Sequence, residues 1–299
     1  MTYHTPALLF ESTEGLNIRP DGVYVDATFG GGGHSRAIFE RLTTGRLIAL
    51  DHDADALANA PDDQRLITEH GNFCFLRNYL AHHGYRKVDG ILADLGVSSH
   101  HFDETNRGFS FRYDDAPLDM RMNTAAQLTA KTVLNQYSEN ALTNIFAEYG
   151  ELGNSRRLAR QIVIARQKKS IERSGQLIEV IEQYIPRGSE NNYLAKVFQS
   201  LRIEVNSELE NLKALLMQSV DLLQQGGRLV VIAYHSLEDR LVKNFFKNGM
   251  FEGKAEKDIY GNVNVPFRPV NNKPIEPTDG EIKANNRSRS AKMRIGVRI

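Results

Sequence analysis

The sequence predicts an α/β fold in which a mostly parallel, doubly wound sheet is interrupted by an all-helical domain. Three observations lead to this prediction. A strand, a glycine-rich turn and a helix start follow one another between Val23 and Ser35. Apolar strands then alternate with amphipathic helices as far as Asp94, which is typical of parallel sheets covered by helices. From about residue 125 to 223 the apolar residues recur with a helical period, and a strand resumes at Gly226–Tyr234.

The first strand, Val23–Asp26, leads into the glycine run Gly30–Gly33 and a helix that begins at Ser35. Glycines let the backbone turn tightly and let a ligand approach it closely, and this order of elements is typical of a nucleotide site. The glycines are followed by His34 and Ser35, whereas a phosphate-binding loop needs Lys followed by Ser or Thr. Ser35 also stands where the dinucleotide pattern G-x-G-x-x-G needs its last glycine, so the spacing argues against both classes.

Two carboxylates mark the ends of the first two strands. Asp26 precedes the glycines, and Asp51 ends the strand Arg46–Asp51, where an acidic side chain accepts hydrogen bonds from ribose hydroxyls. Asp26 is positioned to hold a cationic amine. A cofactor with an adenosine end, an amino acid end and no phosphates suits this pair, which points to S-adenosylmethionine. The alternative is that both carboxylates only cap loops and that the glycines make a tight corner.

The next elements bring more polar residues to the same edge of the sheet. After a lead-in helix from Ala7 to Glu14, we expect three further strands and three helices, namely strands Leu47–Leu50, Leu66–Glu69 and Val88–Asp94 and helices 35–43, 53–60 and 73–83. Ligands of such sheets bind at the carboxyl ends of the strands. The residues expected to converge there are Gly30–Gly33, Asp51, Asn72, Phe73 and Asp94.

Asp94 ends the fourth strand and is the candidate catalytic residue. A carboxylate there can accept a hydrogen bond from an exocyclic amine of cytosine or adenine and make that nitrogen a better nucleophile toward a sulfonium methyl group. Two alternatives stay open: Asp94 positions the amino group of the cofactor, or it caps the next turn. His235 and Ser236 follow the strand that ends at Tyr234 and are candidate substrate contacts, although Ser236 with Asp239 also fits a helix-capping pattern.

The helical stretch is interpreted as an inserted domain at residues 105–205, between parts 1–104 and 206–299 of the α/β domain. Residues 254–279 are polar and interrupted by prolines, which indicates a long loop, and the basic, alternating end Arg287–Arg298 indicates a strand. Basic residues concentrate in that tail and in the insert, at Arg156, Arg157, Arg160, Arg166, Lys168, Lys169 and Arg173. In a chain of zero net charge, such patches are typical of a polyanion surface; the alternative for the insert is a set of solvated helix faces.

Composition excludes several classes of protein. The 299 residues have a formal net charge of zero, so the chain as a whole is not an electrostatic nucleic-acid binder. Cys74 is the only cysteine, which excludes an internal disulfide and a cysteine metal cage and fits a reducing compartment. With neither a signal pattern nor an apolar run of membrane length, we expect a soluble cytoplasmic protein. The pairs His82-His83 and His100-His101 do not predict a metal site, because adjacent residues rarely ligate one ion.

Seven blocks of sequence resemble the ribosomal RNA small subunit methyltransferase H (MraW) family, and they occur in the family's order. They extend from the N-terminus nearly to the C-terminus: His4–Leu9, Asp26–Ser35, Val88–Ser99, Arg107–Phe111, Pro117–Met122, Phe198–Asn206 and His235–Arg240. The resemblance implies a Rossmann-like class I methyltransferase fold with a helical insert. It also implies a bacterial enzyme that uses S-adenosylmethionine to methylate N4 of a cytidine in the decoding centre, at the P site, of 16S ribosomal RNA.

Carried over by position, the implied cofactor contacts are Gly32, Gly33, His34, Asp51, Phe73 (packing near the adenine) and Asp94. His101 stands where the family usually has Gln, and it can still donate a hydrogen bond. Arg121, in the block Pro117–Met122, is a further candidate substrate contact. Two other departures are Asp115-Ala116-Pro117 for Asp-Gly-Pro and Asn285-Asn286-Arg287 for Asn-Pro-Arg. No catalytic base is carried over.

The implied partner is 16S ribosomal RNA within the small ribosomal subunit, with no membrane and no metal. Whether free RNA or the assembled subunit is the substrate stays open, as does the oligomeric state, a homodimer included. Two rival classes remain: a nicotinamide-dependent oxidoreductase, which the glycine spacing disfavours, and an RNA-binding assembly factor with a vestigial pocket. The intact glycine loop, Asp51 and Asp94 argue against the second rival.

Overall fold

The computed structural model describes residues 6–96, 107–253 and 265–299. The chain divides into two compact units, one made of Met1–Gly96 with Leu209–Ile299 and the other of Val97–Glu208. The sequence placed the inserted domain at 105–205. We describe each unit by itself.

The first half of the α/β unit alternates strands and helices as the sequence predicted. The strands are β1 Val23–Asp26, β2 Arg46–Asp51, β3 Leu66–His70 and β4 Val88–Asp94, and the helices are α1 Leu9–Leu16, α2 Gly33–Phe39, α3 Ala54–Leu57 and α4 Leu76–His82. The helix expected at 73–83 begins instead with a 3-10 turn at Phe73–Phe75, because the Asn72 side chain accepts a hydrogen bond from the Cys74 N–H and caps that turn. The helix expected at 53–60 is only one turn long.

The second unit is helical. Its helices are α5 Ala130–Gln136, α6 Glu139–Glu148, α7 Ser155–Lys168, α8 Ser174–Ile181 and α9 Glu190–Asn206. Their apolar faces share one buried cluster that includes Leu134, Phe146, Ile162, Leu177 and Leu201. Within residues 107–208, β-structure is limited to the isolated bridge between Pro117 and Arg173. The helices that the apolar period predicted here are therefore confirmed, and their apolar faces form a buried core of their own.

The chain then returns to the α/β unit. The remaining elements are α10 Glu208–Leu222, β5 Leu223–Ala233, α11 Ser236–Asn248, β6 Phe267–Pro269, α12 Asp279–Ala284 and β7 Lys292–Arg298. The strand expected at the C-terminus is confirmed as β7. The expectation of one long loop over 254–279 was wrong in part, because β6 pairs with β7 inside it. At three residues, one of them Pro269, β6 is too short to show an alternating pattern.

The seven strands form one sheet in the order β3-β2-β1-β4-β5-β7-β6. The first five are parallel, and β7 runs antiparallel to both of its neighbours. Both faces are covered: Val25, Ile91 and Val231 enter one buried cluster, while Tyr24 and Leu92 enter the other. The predicted Rossmann-like α/β fold is confirmed. From β1 the chain adds β2 and β3 on one side of the sheet and then β4 and β5 on the other. The boundary between β1 and β4 is therefore a topological switch point, where ligands of such sheets bind.

A buried ion pair ties β7 to the start of α11. Arg294 Nε donates to Asp239 Oδ1 at 2.6 Å and its second terminal nitrogen donates to Oδ2 at 3.1 Å. Only 10% of the Arg294 side chain and 16% of the Asp239 side chain are exposed. A two-point guanidinium–carboxylate contact fixes direction as well as distance, so this pair holds the first turn of α11 against the sheet.

Arg294→Leu leaves Asp239 buried without its partner, so we expect the free energy of unfolding to fall by about 3 kcal/mol. Urea denaturation measures this, and the double variant Arg294→Leu/Asp239→Leu should recover most of the loss because no unpaired charge remains. Lys213→Leu, which breaks an exposed pair with Glu210, is the control and should cost under about 1 kcal/mol. A single variant as stable as the wild type would contradict the account.

Candidate functional site

The glycine loop is suspended between two strands at the carboxyl edge of the sheet. Ala27 donates its N–H to the Leu92 carbonyl of β4, and Phe29 donates to the Leu50 carbonyl of β2, at 2.8 Å each. Gly30 and Gly32 then adopt φ values of +52° and +75°, in the left-handed region where side chains other than glycine are strained. The loop path therefore requires glycine, and it ends where α2 begins at Gly33.

Close packing explains Gly32 and Gly33 further. A Cβ atom on Gly32 would lie 2.7 Å from the Phe29 ring, and one on Gly33 would lie 2.7 Å from the Pro6 ring. Around Gly30 the space is open, since only the Thr28 carbonyl oxygen comes within 4 Å of such an atom, at 4.0 Å. The backbone of the loop is thus packed from behind at two glycines and accessible at a third.

Asp51 anchors this loop to the end of β2. Its Oδ2 accepts a hydrogen bond from the Gly30 N–H at 2.7 Å, and its Oδ1 accepts one from the Asp53 N–H at 2.8 Å. Burial raises the pKa of the Asp51 carboxyl, and these two backbone donors oppose that rise. Each oxygen keeps a second lone pair for a ligand hydroxyl.

Phe73 supplies an apolar wall near the same strand end. It lies in the 3-10 turn after β3 and is 8% exposed. Its ring meets the imidazole of His52, the residue after Asp51, edge to face with 6.0 Å between centroids. The structure therefore brings the predicted Asp51 and Phe73 to one place.

Asp94 lies at the end of β4 and is held from both neighbouring strands. The Tyr234 hydroxyl, just past β5, donates to Asp94 Oδ1 at 2.8 Å, and the Asp94 N–H donates to Thr28 Oγ1 beyond β1 at 2.7 Å. Burial raises the pKa of the Asp94 carboxyl to about 7, with a smaller rise from the nearby Asp26 and Glu238 charges, although the Tyr234 hydrogen bond lowers it. The carboxyl thus changes its charge near neutral pH.

His34 faces Asp94 from the first turn of α2. Its Nε2 lies 3.1 Å from the Ala7 carbonyl oxygen, which accepts only from a protonated nitrogen, so we assign the proton to Nε2. Burial lowers the pKa of His34 to about 4, so the ring is neutral at pH 7 and Nδ1 carries a lone pair. That nitrogen lies 3.6 Å from Asp94 Oδ2. A nitrogen and an oxygen that can both accept hydrogen bonds therefore face each other at the switch point.

Asp26 does not occupy the place that the sequence suggested. Its side chain is fully buried, where it accepts from the Ser35 hydroxyl at 2.7 Å and from the Thr28 N–H at 3.1 Å. Burial raises its pKa to about 6. The expectation that Asp26 holds a cationic amine is corrected, because the carboxyl ties the glycine loop and α2 to the end of β1 and does not reach the surface.

His235 and Ser236 begin α11. His235 is the N-cap: its Nδ1 accepts from the Glu238 N–H at 3.4 Å, while Glu238 Oε2 accepts from the His235 and Tyr234 N–H groups. The capping pattern proposed for Ser236 and Asp239 is thus shifted by one residue. His235 Nε2 is buried and lies 3.2 Å from Glu238 Oε1, although in the described part of the chain no contact to it has hydrogen-bond geometry. Ser236 is exposed, and a substrate contact by either residue stays a prediction.

Arg121 belongs to the helical unit, and its guanidinium is used within that unit. Nε and one terminal nitrogen donate to the two Asp119 carboxylate oxygens at 2.8 and 2.7 Å. The other terminal nitrogen donates to the carbonyls of Thr124 and Ala126 at 2.8 and 2.6 Å. The structure gives Arg121 a role in closing this loop, and its role as a substrate contact stays a prediction. His101 lies outside the described residues.

Sequence reasoning missed Tyr234 as a partner of Asp94. In the structure Asp94 is paired with Ile232 across β4 and β5, and Tyr234, two positions further, points to the same face. Predicting this contact needs the register between two strands far apart in the chain, which the sequence alone does not provide. Thr28 was overlooked as well, although it lies in the loop that the sequence singled out.

The histidine pair His82-His83 has an acidic neighbour that its sequence spacing did not show. Glu69, on β3, contacts His83 Nε2 through its Oε1, and ligand atoms of these three residues lie within 4.8 Å of one another. His82 is exposed and the other two are half-buried. The direct contact between His83 and Glu69 explains why these three side chains lie close together, so the cluster gives no reason to assign a metal site. The pair His100-His101 lies outside the described residues.

The raised pKa of Asp94 predicts a pH-dependent cost to stability. The carboxyl titrates near 3.8 in the unfolded chain and at about 7 in the fold, so the folded state binds the extra proton between these values. The contribution of Asp94 to the free energy of unfolding therefore falls as pH rises from 4 to 7. Asp94→Asn removes the charge and keeps an acceptor for Tyr234, so we expect its free energy of unfolding to exceed that of the wild type by about 4 kcal/mol at pH 8 and to match it near pH 4.

Urea denaturation at the two pH values measures this difference. The matched control is Asp62→Asn, which removes one exposed carboxylate and supplies the baseline. A difference between Asp94→Asn and wild type that is the same at both pH values would show that Asp94 does not carry the extra proton in the fold.

Comparison with known proteins identifies the family of the chain. The model of the MraW methylase family matches residues 1–299. Proteins named ribosomal RNA small subunit methyltransferase H are 56% identical in Parabacteroides distasonis, over 99% of this chain and 98% of theirs, and 57% identical in Bacteroides thetaiotaomicron, over 99% and 97%. An rRNA methylase structure from Streptococcus thermophilus aligns over 100% of this chain and 99% of its own at 10% identity, with a TM-score of 0.44 that carries no argument by itself. The sequence match decides the matter: the chain belongs to the MraW methylase family.

Proposed function

We propose that this chain is an S-adenosylmethionine-dependent methyltransferase that methylates N4 of a cytidine in the decoding centre, at the P site, of bacterial 16S ribosomal RNA. The observation that carries the proposal is the pair of facing acceptors, Asp94 Oδ2 and His34 Nδ1, 3.6 Å apart at the switch point of the sheet. The family and the names of its members support an rRNA substrate. The decoding-centre cytidine comes from the family resemblance in the sequence.

The residues present fit this cofactor. The accessible backbone at Gly30 admits a ligand, Asp51 has acceptor capacity for ribose hydroxyls, and Phe73 offers an apolar surface for an adenine. The carboxylate of Asp94 also suits the positive charge of a sulfonium group, whereas Ser35 in place of the last glycine of G-x-G-x-x-G disfavours a nicotinamide dinucleotide. When bound, the cofactor supplies a methyl group on a positively charged sulfur. The residues that would hold it are Gly32, Gly33, Asp51, Phe73 and, outside the described residues, His101. The family resemblance also implies cofactor contacts by His34 and Asp94, which we assign instead to the target amine.

Asp94 is the group suited to act on the target amine. The lone pair of an exocyclic cytosine amine is delocalised into the ring, so the nitrogen is a poor nucleophile until an N–H is drawn away. Asp94 Oδ2 accepts one N–H and takes that proton as the nitrogen gains the methyl group. A pKa of about 7 suits a general base at neutral pH. The Tyr234 hydroxyl holds the opposite oxygen, so Oδ2 stays directed at the amine.

His34 complements Asp94 in this arrangement. Because its Nε2 proton is held by the Ala7 carbonyl, Nδ1 stays available as an acceptor for a second N–H. A primary amine has two N–H groups, and two acceptors orient it. We place the reaction in the cytoplasm, on RNA within the small ribosomal subunit, with His235 and Ser236 as candidate substrate contacts.

The first test is transfer of labelled methyl from S-adenosylmethionine to free 16S RNA and to small subunits that lack the modification, with the product nucleoside identified. Wild type should yield N4-methylcytidine. We expect Asp94→Asn to lower kcat by roughly 10²–10⁴-fold, the usual contribution of a general base, with the cofactor Kd within a few-fold of wild type. Asp51→Ala should instead raise the cofactor Kd, because a ribose contact is lost. Asp62→Asn is the control.

Each outcome decides a different part of the proposal. An Asp94→Asn variant that loses cofactor affinity and keeps kcat would assign Asp94 to the cofactor's amino group. Cofactor binding without transfer to either RNA would point to another acceptor. Absence of both would contradict the methyltransferase assignment. Reduced-nicotinamide fluorescence on mixing would favour the rival oxidoreductase.

Tyr234→Phe tests the Asp94 network by its pH profile. The hydroxyl lowers the pKa of Asp94, so its removal should raise that pKa and move the acidic limb of the kcat profile to higher pH by about one unit. Tyr113→Phe, at an exposed tyrosine of the helical unit, is the control. An unmoved limb would mean that Asp94 does not titrate in the rate-limiting step.

A further inference from the structure

The helix α7 presents a row of cations on its exposed side. Successive residues of an α-helix are 100° apart, which places Arg157, Arg160 and Lys168 along one stripe with Arg156 at its margin. All four side chains are exposed, whereas Leu158, Ala159 and Ile162 on the opposite side are fully buried in the core of the helical unit. We call these four residues the α7 basic face. Its length from Arg157 to Lys168 is about 16 Å at 1.5 Å per residue.

The charges of the α7 basic face are not neutralised by their surroundings. In the described ranges, no carboxylate oxygen comes within 4.0 Å of the charged nitrogens of Arg156, Arg157, Arg160 or Lys168. Two other basic residues of the same sequence cluster are engaged elsewhere. Arg166 points to the buried side and donates to the Leu134 carbonyl at 2.7 Å, and Arg173 pairs with Asp115 at 3.0 Å.

The basic C-terminal tail differs from α7, although both stood out in the sequence. Arg294 is buried against Asp239, and Arg298 donates to the carbonyls of Val220 and Pro266 at 2.7 and 3.1 Å. These cations hold β7 in the sheet and are therefore part of the fold. Arg287 and Arg289 at the start of the tail are exposed, so the tail divides into an anchoring and an exposed part, whereas all four cations of the α7 basic face are exposed.

The α7 basic face is unfavourable to the helix that carries it. Arg156 and Arg160 are like charges at i and i+4, a spacing that destabilises a helix by a few tenths of a kcal/mol. Arg156 and Arg157 also stand in the first turn, which has no acidic residue, where the helix dipole disfavours cations. A solvated face built for stability would mix the two signs of charge. Cations placed where they destabilise their own helix, with no compensating contact within the fold, indicate a surface that binds a ligand.

A cavity between α7 and α8 adjoins the C-terminal end of the α7 basic face. Its volume is about 390 Å³, and Lys169, Glu179 and Glu182 are among its lining residues. The two carboxylates in this lining make the cavity unsuited to phosphates. The α7 basic face therefore ends at Lys168, and the exposed side chain of Ile164 lies between Arg160 and Lys168.

We propose that the α7 basic face binds the phosphate backbone of the RNA substrate. This inference rests on the proposed function for the identity of the RNA. Backbone contacts by Arg and Lys position a nucleic acid without reading its sequence, and a 16 Å stripe accommodates several phosphates of one strand. The helical unit thereby supplies affinity for RNA, whereas the α/β unit supplies the chemistry.

The test is the salt dependence of RNA binding. Each phosphate contact contributes about 0.7 to the slope of log K against log salt for a single strand, so Arg157→Gln/Arg160→Gln should reduce the magnitude of that slope by about 1.4. At a fixed low salt concentration, the Kd for a 16S RNA fragment should rise roughly tenfold. Cofactor Kd, and kcat at saturating RNA, should remain at wild-type values.

Two controls isolate the charge effect. Lys243→Gln/Lys247→Gln removes the same number of exposed cations from α11 of the other unit and should leave the slope unchanged. Ile164→Ala, also in the exposed stripe of α7, removes apolar surface without charge and should leave the slope unchanged too. Circular dichroism checks that the helix content of every variant matches the wild type.

A wild-type slope for Arg157→Gln/Arg160→Gln overturns the proposal, as does an equal loss for the α11 control. The result also separates this proposal from the proposed function. Methyl transfer with an unchanged slope would reject the docking face alone. A reduced slope without any methyl transfer would support an RNA surface on α7 and reject the assigned reaction.

Discussion

The site depends on one buried carboxylate, Asp94, fixed between three neighbouring strand ends. It continues β4, receives the Tyr234 hydroxyl from the end of β5, and donates its N–H to Thr28 beyond β1. Parallel strands align these ends at one edge, and the switch point between β1 and β4 opens a crevice there. Because burial holds the pKa of Asp94 near neutrality, the fold keeps a base where a ligand can reach it. In the described α/β unit, the glycine loop contacts Asp94 through Thr28, and α2 contacts it through His34.

Burial of carboxylates at this edge is unfavourable to folding, and fixed donors offset the cost. Asp26 holds the Ser35 hydroxyl and a backbone N–H, and Asp51 holds two backbone N–H groups. The same contacts tie the glycine loop to β1 and β2, so the groups that lower the electrostatic cost also shape the pocket. Asp51, which organises the loop, is also the residue that we propose to accept from the ribose of the cofactor. In the described residues, the hydrogen bonds of the buried carboxylates thus both hold the glycine loop in place and shape the proposed site.

Much of this could be predicted from the sequence, and the rest could not for identifiable reasons. The strand Val88–Asp94 was predicted to the residue, because the apolar segment Gly90–Ala93 between two aspartates defines a short strand buried on both faces. The short strand β6 was missed because three residues show no period. The contact between Asp94 and Tyr234 depends on the register of β4 against β5, and the neutral state of His34 depends on its burial. Asp26 was misplaced because a strand-end position does not reveal whether a side chain points to the crevice or beneath the loop.

The most direct test of the account is a crystal structure with S-adenosylhomocysteine and cytidine monophosphate bound together. The account predicts that the cytidine N4 lies within hydrogen-bond distance of Asp94 Oδ2, about 2.7–3.2 Å, and that His34 Nδ1 faces the same amine. The ribose of the cofactor product should contact Asp51, with its adenine beside Phe73. A structure in which the cofactor's amino group occupies the space between Asp94 and His34, with N4 directed at other residues, would contradict the central claim.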